Sequence, residues 1–175
     1  SAMMGSVRVQ INDEGLTISN PGGFIEGITL NNLLTAEPYG RNPLLSDALK
    51  RIGLAERTGR GIDRIFEGSI TFGRPWPDYS ESTSQNVTLF IARAKADIPF
   101  IQMIMDEQKA IGHTLSINTL LILSILYSER KLSGKELSDK THISIQRIKP
   151  LIETLIERGL VEEIGHGTHR MLMLS

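Results

Sequence analysis

The chain has 175 residues, with 19 Lys and Arg against 20 Asp and Glu and a formal charge of −1 at pH 7. The near balance excludes a uniformly basic nucleic-acid coat protein but leaves room for a local basic patch. A hydrophobic share of 40% is enough for a packed core, and zero Cys removes disulfides, zinc–thiolate sites, iron–sulfur clusters and Cys nucleophiles together. The longest apolar stretch, residues 117–127, falls short of the roughly 20 residues a bilayer span needs, so no membrane contact and a cytoplasmic placement are expected.

In chain order, Val7, Val9 and Ile11 alternate with polar residues and predict a half-buried strand. The Asn12-Asp13-Glu14-Gly15 cluster predicts a hairpin turn into a second strand that ends before Asn20-Pro21-Gly22-Gly23. Thr29 is a candidate cap for a short helix through Leu34. Asn42-Pro43 starts a helix in which Leu44, Leu45, Ala48, Leu49 and Ile52 share a face, with Gly53 as its stop. Gly59-Arg60-Gly61 precedes a helix over 62–66, a Pro-rich loop spans 74–78, and residues 87–91 form a last strand. Trp76, Tyr79, Phe72 and Phe90 are expected to close a small aromatic cluster around that loop.

The remaining residues follow a different pattern. A connecting helix is expected over 100–111, then a buried helix over 118–128. A third, over 133–140, carries a Ser133/Glu136 capping box. A fourth spans 145–158, with Gly159 as its stop and Pro150 arguing for a late start or a kink. A hairpin of residues 160–164 and 169–174 ends the pattern. The fold class is α+β: a sheet-plus-helices module over 7–95, a linker helix over 96–116, and a helical domain with a terminal hairpin over 117–175.

Helix, short helix, long helix, hairpin is the order of a winged helix-turn-helix, and residues 132–174 resemble that superfamily. In the fourth helix Ile148, Leu151, Ile152 and Leu155 should face inward, leaving Gln146, Arg147 and Lys149 outside. Recognition helices use their N-terminal residues on base edges; Arg suits guanine, Gln suits adenine, and Lys suits phosphate. Six cations (Arg130, Lys131, Lys135, Lys140, Arg147, Lys149) face only Glu136 and Asp139 over 130–149, a net of +4. The candidate DNA-binding residues are therefore Gln146, Arg147, Lys149 and Lys140, with His166 and Arg170 on the wing. The expected partners are double-stranded DNA and a second copy of the chain, with helix 100–111 as a dimer contact. His166 and His169 lack a third ligand, so no metal site is expected.

Two N-terminal motifs, residues 18–34 (ISNPGGFIEGITLNNLL) and 41–67 (RNPLLSDALKRIGLAERTGRGIDRIFE), resemble the C-terminal module of RecG-related, "ATP-dependent DNA helicase-related" regulators. That module is similar to the ATPase fold of gyrase and histidine kinases. The resemblance implies an adenine-side loop at Asn20, Gly22 and Gly23, a phosphate loop at Gly59 and Gly61 with Arg57 and Arg60 nearby, and a lid over residues 36–41 around Tyr39. It also implies a longer protein, in which ATP is a possible cofactor. Asn20 replaces the superfamily's adenine-reading Asp, and the helix bearing its magnesium ligand and general base should precede Val7. No cofactor and no catalytic residue are therefore expected within residues 1–175. No P-loop, H-E-x-x-H or G-x-S-x-G occurs. The leading reading is a DNA-binding transcriptional regulator with a regulatory or dimerising first module. The alternatives are a nucleotide-binding switch and a protein-interaction adaptor.

Overall fold

The computed structural model describes residues 5–37, 40–55, 59–165 and 170–175. The chain divides into two compact units, meeting between Asp97 and Ile98.

The first unit is built on an antiparallel sheet in the order β1-β2-β3, from β1 (Arg8–Ile11), β2 (Gly15–Pro21) and β3 (Asn86–Ala92). The β1–β2 turn is local chemistry: the Asn12 side chain accepts from the backbone N–H of Glu14 and Gly15, both at 3.0 Å. Gly15 is required there, because a Cβ would lie 2.3 Å from the Ile91 carbonyl oxygen. β2 runs two residues further than expected and includes Pro21, paired opposite Asn86. Proline is tolerated because β1 ends its pairing at Ser19, so the ladder asks no N–H of Pro21 on that side.

Among the described residues, the connection from β2 to β3 carries three helical pieces. Thr29 caps only a single 3-10 turn, Leu30–Asn32, rather than a helix through Leu34. Helix α1 (Pro43–Arg51) starts as Asn42-Pro43 predicts, the Asn42 side chain accepting from Leu45 N–H at 3.0 Å. Helix α2 (Gly61–Thr71) is longer than expected and buries Phe66, Ser69 and Ile70. Phe66 meets Trp76 edge-on at 5.9 Å, and Tyr79 packs 6.4 Å from Phe24. Phe72 does not join this cluster; it sits at the end of α2 and is 65% exposed. Asp78 exchanges both backbone hydrogen bonds with Phe90, which ties the Pro-rich loop to β3.

Two apolar faces are left open. Val9 and Ile11 are 60% and 79% exposed, so β1 is not half-buried. No residue of α1 is buried, and Leu44 is 85% exposed. The predicted periodicities are present, but no described residue of this unit covers them.

The second unit holds α3 (Ile98–Ile111), α4 (Ile117–Glu129), α5 (Gly134–Thr141), α6 (Ile145–Glu157) and the hairpin β4 (Val161–Ile164) and β5 (Met171–Leu174). Ser116 caps α4, whose Leu120, Leu121, Ile122, Leu123 and Leu126 are all buried. α3 packs onto this core through buried Phe100 and Ile104, with the Phe100 ring 4.9 Å from Tyr127. Glu107 of α3 is buried and meets Arg158, just past α6, at 2.8 Å. Leu132 exchanges two backbone bonds with Leu172, adding a third segment to the hairpin.

α6 begins at Ile145 and continues through Pro150, so the expected late start is not what the chain does. The bond that Pro150 cannot donate would go to the Gln146 carbonyl. Both residues are exposed, so water can satisfy that carbonyl and the cost falls.

Candidate nucleic-acid interface

The turn between α5 and α6 is held by its own side chains. His142 adopts φ 55° in the left-handed region, and Ile143 is buried behind it. The Ser138 hydroxyl donates to the Ile143 carbonyl at 2.6 Å and the Thr141 hydroxyl to the Leu137 carbonyl at 2.7 Å. α5 is fixed at its start by the predicted capping box. Glu136 N–H donates to the Ser133 hydroxyl at 3.2 Å, and the Glu136 carboxylate accepts from Ser133 N–H at 2.8 Å. The bond from Ser133 N–H most of all, with a second from the Ser133 hydroxyl at 2.7 Å, holds the Glu136 carboxyl below its ordinary pKa of 4.5.

The start of α6 therefore projects from a rigid support. Ile148, Ile152 and Leu155 are buried, while Gln146, Arg147 and Lys149 are exposed. Among the described residues, none of these three side chains has a hydrogen-bond or ion-pair partner. The Ser144 side chain makes no capping bond at this helix start; its carbonyl takes the Arg147 N–H at 2.9 Å, and the N–H groups of Ile145 and Gln146 are left available to an anion.

The other predicted DNA-facing residues are placed differently. Lys140 is engaged by Glu129 at 2.7 Å, and Arg170 by Glu163 at 3.4 Å. Both pairs are partly exposed, so solvent weakens them, but each cation starts with a carboxylate beside it. His166 and His169, with the two residues between them, lie outside the described residues. Lys131 and Lys135, two cations of the +4 run, are exposed close to the helix-turn-helix, and residue type alone assigns them no role. Arg130 belongs to the same run. It has a positive φ of 71° and stacks 5.7 Å from the Tyr127 ring centre, a placement with no local sequence signal.

In the first unit, the residues that the ATPase resemblance singles out do not converge. Asn20 is exposed on β2, opposite Val87. Gly22 donates to the Gln85 carbonyl at 2.7 Å, and a Cβ on Gly23 would lie 2.5 Å from the Ser84 carbonyl oxygen. Gly23 thus lets the chain leaving β2 pass close to the turn before β3, while Gly22 is placed by its φ of 94°. Gly59 lines a cleft of about 330 Å3 with Phe24, Ile28, Leu33 and Lys50, a lining that does not include Asn20, Gly22 or Gly23. A Cβ on Gly61 would meet no atom within 4 Å, so close packing does not demand glycine there. Tyr39 and Arg57 lie outside the described residues. The described residues place Gly59, but not Asn20, Gly22 or Gly23, in the lining of that cleft. They contain no group of three His, Asp or Glu able to hold a metal ion, and no helix long and apolar enough to cross a membrane.

A capped helix-turn-helix, an amphipathic third helix and a hairpin closed by a third segment define a winged-helix module of the DNA-binding class. Residues 115–162 match the family model described as "Winged helix-turn-helix DNA-binding". Residues 5–91 match "Putative ATP-dependent DNA helicase recG C-terminal". The chain therefore carries a RecG C-terminal-like module followed by a winged helix, the architecture its motifs predict. Among solved structures, the DIP2311 protein from Corynebacterium diphtheriae is similar, with a TM-score of 0.76 over 98% of this chain. At 19% identity that likeness concerns the fold alone, and the matched part is 36% of that protein's chain. No curated protein matches.

Proposed function

We propose that this chain is part of a cytoplasmic, DNA-binding transcriptional regulator that acts as a homodimer, with the winged helix on double-stranded DNA and the first module regulating or pairing the copies. The observation that supports this most directly is the start of α6. Gln146, Arg147 and Lys149 are exposed and unpartnered among the described residues, on a helix whose opposite face is locked in the core. Arg147 and Gln146 have the donors and acceptors that base edges read, and Lys149 suits phosphate. Lys140 and Arg170 join after exchanging a carboxylate for a phosphate, so their contribution is smaller. α3 supplies an exposed edge at Ile98 and Met105, 65% and 58% exposed, for a second copy.

The test is a fluorescence-anisotropy titration on duplex DNA over a range of salt. Arg147→Ala with Lys149→Ala should weaken binding at low salt and lower the log–log salt slope by about 0.9 for each phosphate that is no longer neutralised. An unchanged affinity and slope would remove α6 as the DNA-contacting surface. No change in melting temperature is expected, because neither side chain is engaged.

A further inference from the structure

A groove of about 300 Å3 lies between α6 and the wing. Its apolar lining includes Ile145, Ile152, Ile156 and Leu172. Ile145 is 46% exposed, an apolar side chain at a helix start that internal packing leaves uncovered. Among the described residues the charged lining is two cations and two carboxylates: Lys149 and Glu153 from α6, Glu163 and Arg170 from the wing. Lys149 and Glu153 have no side-chain partner among the described residues. Glu163 and Arg170 meet only at 3.4 Å, with side chains 38% and 61% exposed, so they can turn to another partner at small cost.

This balance narrows the ligand. A bare anion would be drawn by Lys149 and Arg170 and repelled by Glu153 and Glu163, and a bare cation the reverse. A fully apolar molecule would cover the aliphatic residues but strip water from four charges without replacing it. A compact zwitterion with an aliphatic side chain meets all of these demands. Its carboxylate can accept from Lys149 or Arg170, its ammonium can donate to Glu153 or Glu163, and its side chain can lie on Ile145, Ile152 and Leu172. The groove is at the small end of ligand sites, which run from roughly 300 to 1,000 Å3. We propose that the groove between α6 and the wing is an effector site for a free α-amino acid with an aliphatic side chain. Because Lys149 also belongs to the DNA-facing set, occupancy would draw it from phosphate and weaken DNA binding; that consequence rests on the DNA reading, whereas binding of the amino acid does not.

The test uses the full chain without DNA, labelled with nitrogen-15, and three probes: L-leucine, 4-methylpentanoate, which lacks the ammonium, and 3-methylbutylamine, which lacks the carboxylate. L-leucine should give saturable amide shifts confined to residues such as Lys149, Glu153 and Leu172, and each half-ligand should bind at least about tenfold more weakly, for want of one charge-assisted hydrogen bond. Glu153→Gln should weaken leucine by a similar factor. Gly134 also lines the groove, and a Cβ there meets no atom within 4 Å, so Gly134→Leu should block binding without disturbing the fold, with circular dichroism as the control. The absence of saturable shifts with L-leucine up to about 10 mM, which excludes even weak millimolar binding, would overturn the proposal. So would equal responses to all three probes, or ligand-free shifts at the same amides that grow with protein concentration, which would assign the groove to a second copy.

Discussion

The two units use their apolar residues in opposite ways. Of the twenty buried hydrophobic residues among the described ones, sixteen lie in the second unit and four (Phe66, Ile70, Tyr79 and Leu89) in the first. The second unit surrounds α4 on all sides, so its helices are held by one continuous core. In the first, Phe66 and Ile70 of α2 are buried and the aromatic loop is tied to β3 through Asp78, while Val9, Ile11, Leu44 and Leu54 stay open to solvent. A sequence pattern marks a face as apolar; burial depends on whether another element arrives to cover it, and that differs between the halves.

The largest expected effect tests that contrast directly. Leu123→Ala removes a side chain with 0% exposure and should cost about 3 kcal/mol in urea unfolding, through forfeited transfer energy and an unfilled cavity. Ile11→Ala, at 79% exposure, should stay within about 0.5 kcal/mol. Comparable losses for both would mean that β1 is covered in the folded protein. Next comes the link between α3 and the end of α6. Glu107→Ala leaves Arg158 without its 2.8 Å partner and should cost about 2 kcal/mol, less than a fully buried pair because a third of the Arg158 side chain is exposed. A neutral result would show that α3 is held by Phe100 and Ile104 alone.

Smaller still is the effect at the start of α5. Glu136 has its pKa lowered by folding, so its contribution is present above its ordinary 4.5 and is lost as pH falls through the depressed folded value. Glu136→Gln should therefore lower the melting temperature slightly near neutral pH, with the gap to the parent closing under acid; a gap independent of pH would assign the effect to packing instead. The smallest expected change is in the first unit: ATP with magnesium should leave its melting transition in place, because Asn20, Gly22 and Gly23 do not line the cleft at Gly59. A clear upward shift would mean that these loops rearrange around a nucleotide.

How much was legible follows the range of the forces involved. The Ser133/Glu136 box, the Asn42-Pro43 start and the Asn12 turn form as their residues predict, since each is closed by groups within three residues. The inward face of α6 was also legible, because a helix repeats every 3.6 residues whatever surrounds it. Legibility failed where the deciding partner is distant. Lys140 is engaged by Glu129 eleven positions away, and Glu107 by Arg158 fifty-one away. Phe72 resembles its aromatic neighbours in composition but falls at a helix end pointing to solvent.

The sequence by itself therefore determined the order of elements, the two modules and the polar strip of Gln146, Arg147 and Lys149, since spacing and capping are written within a few residues. Tertiary structure alone decided which cations remain unpaired, that Gly23 lies close against the turn before β3, and that Lys149 shares a groove with Glu153, Glu163 and Arg170. Those outcomes depend on which surfaces meet in space, and no local pattern of residue types specifies that meeting.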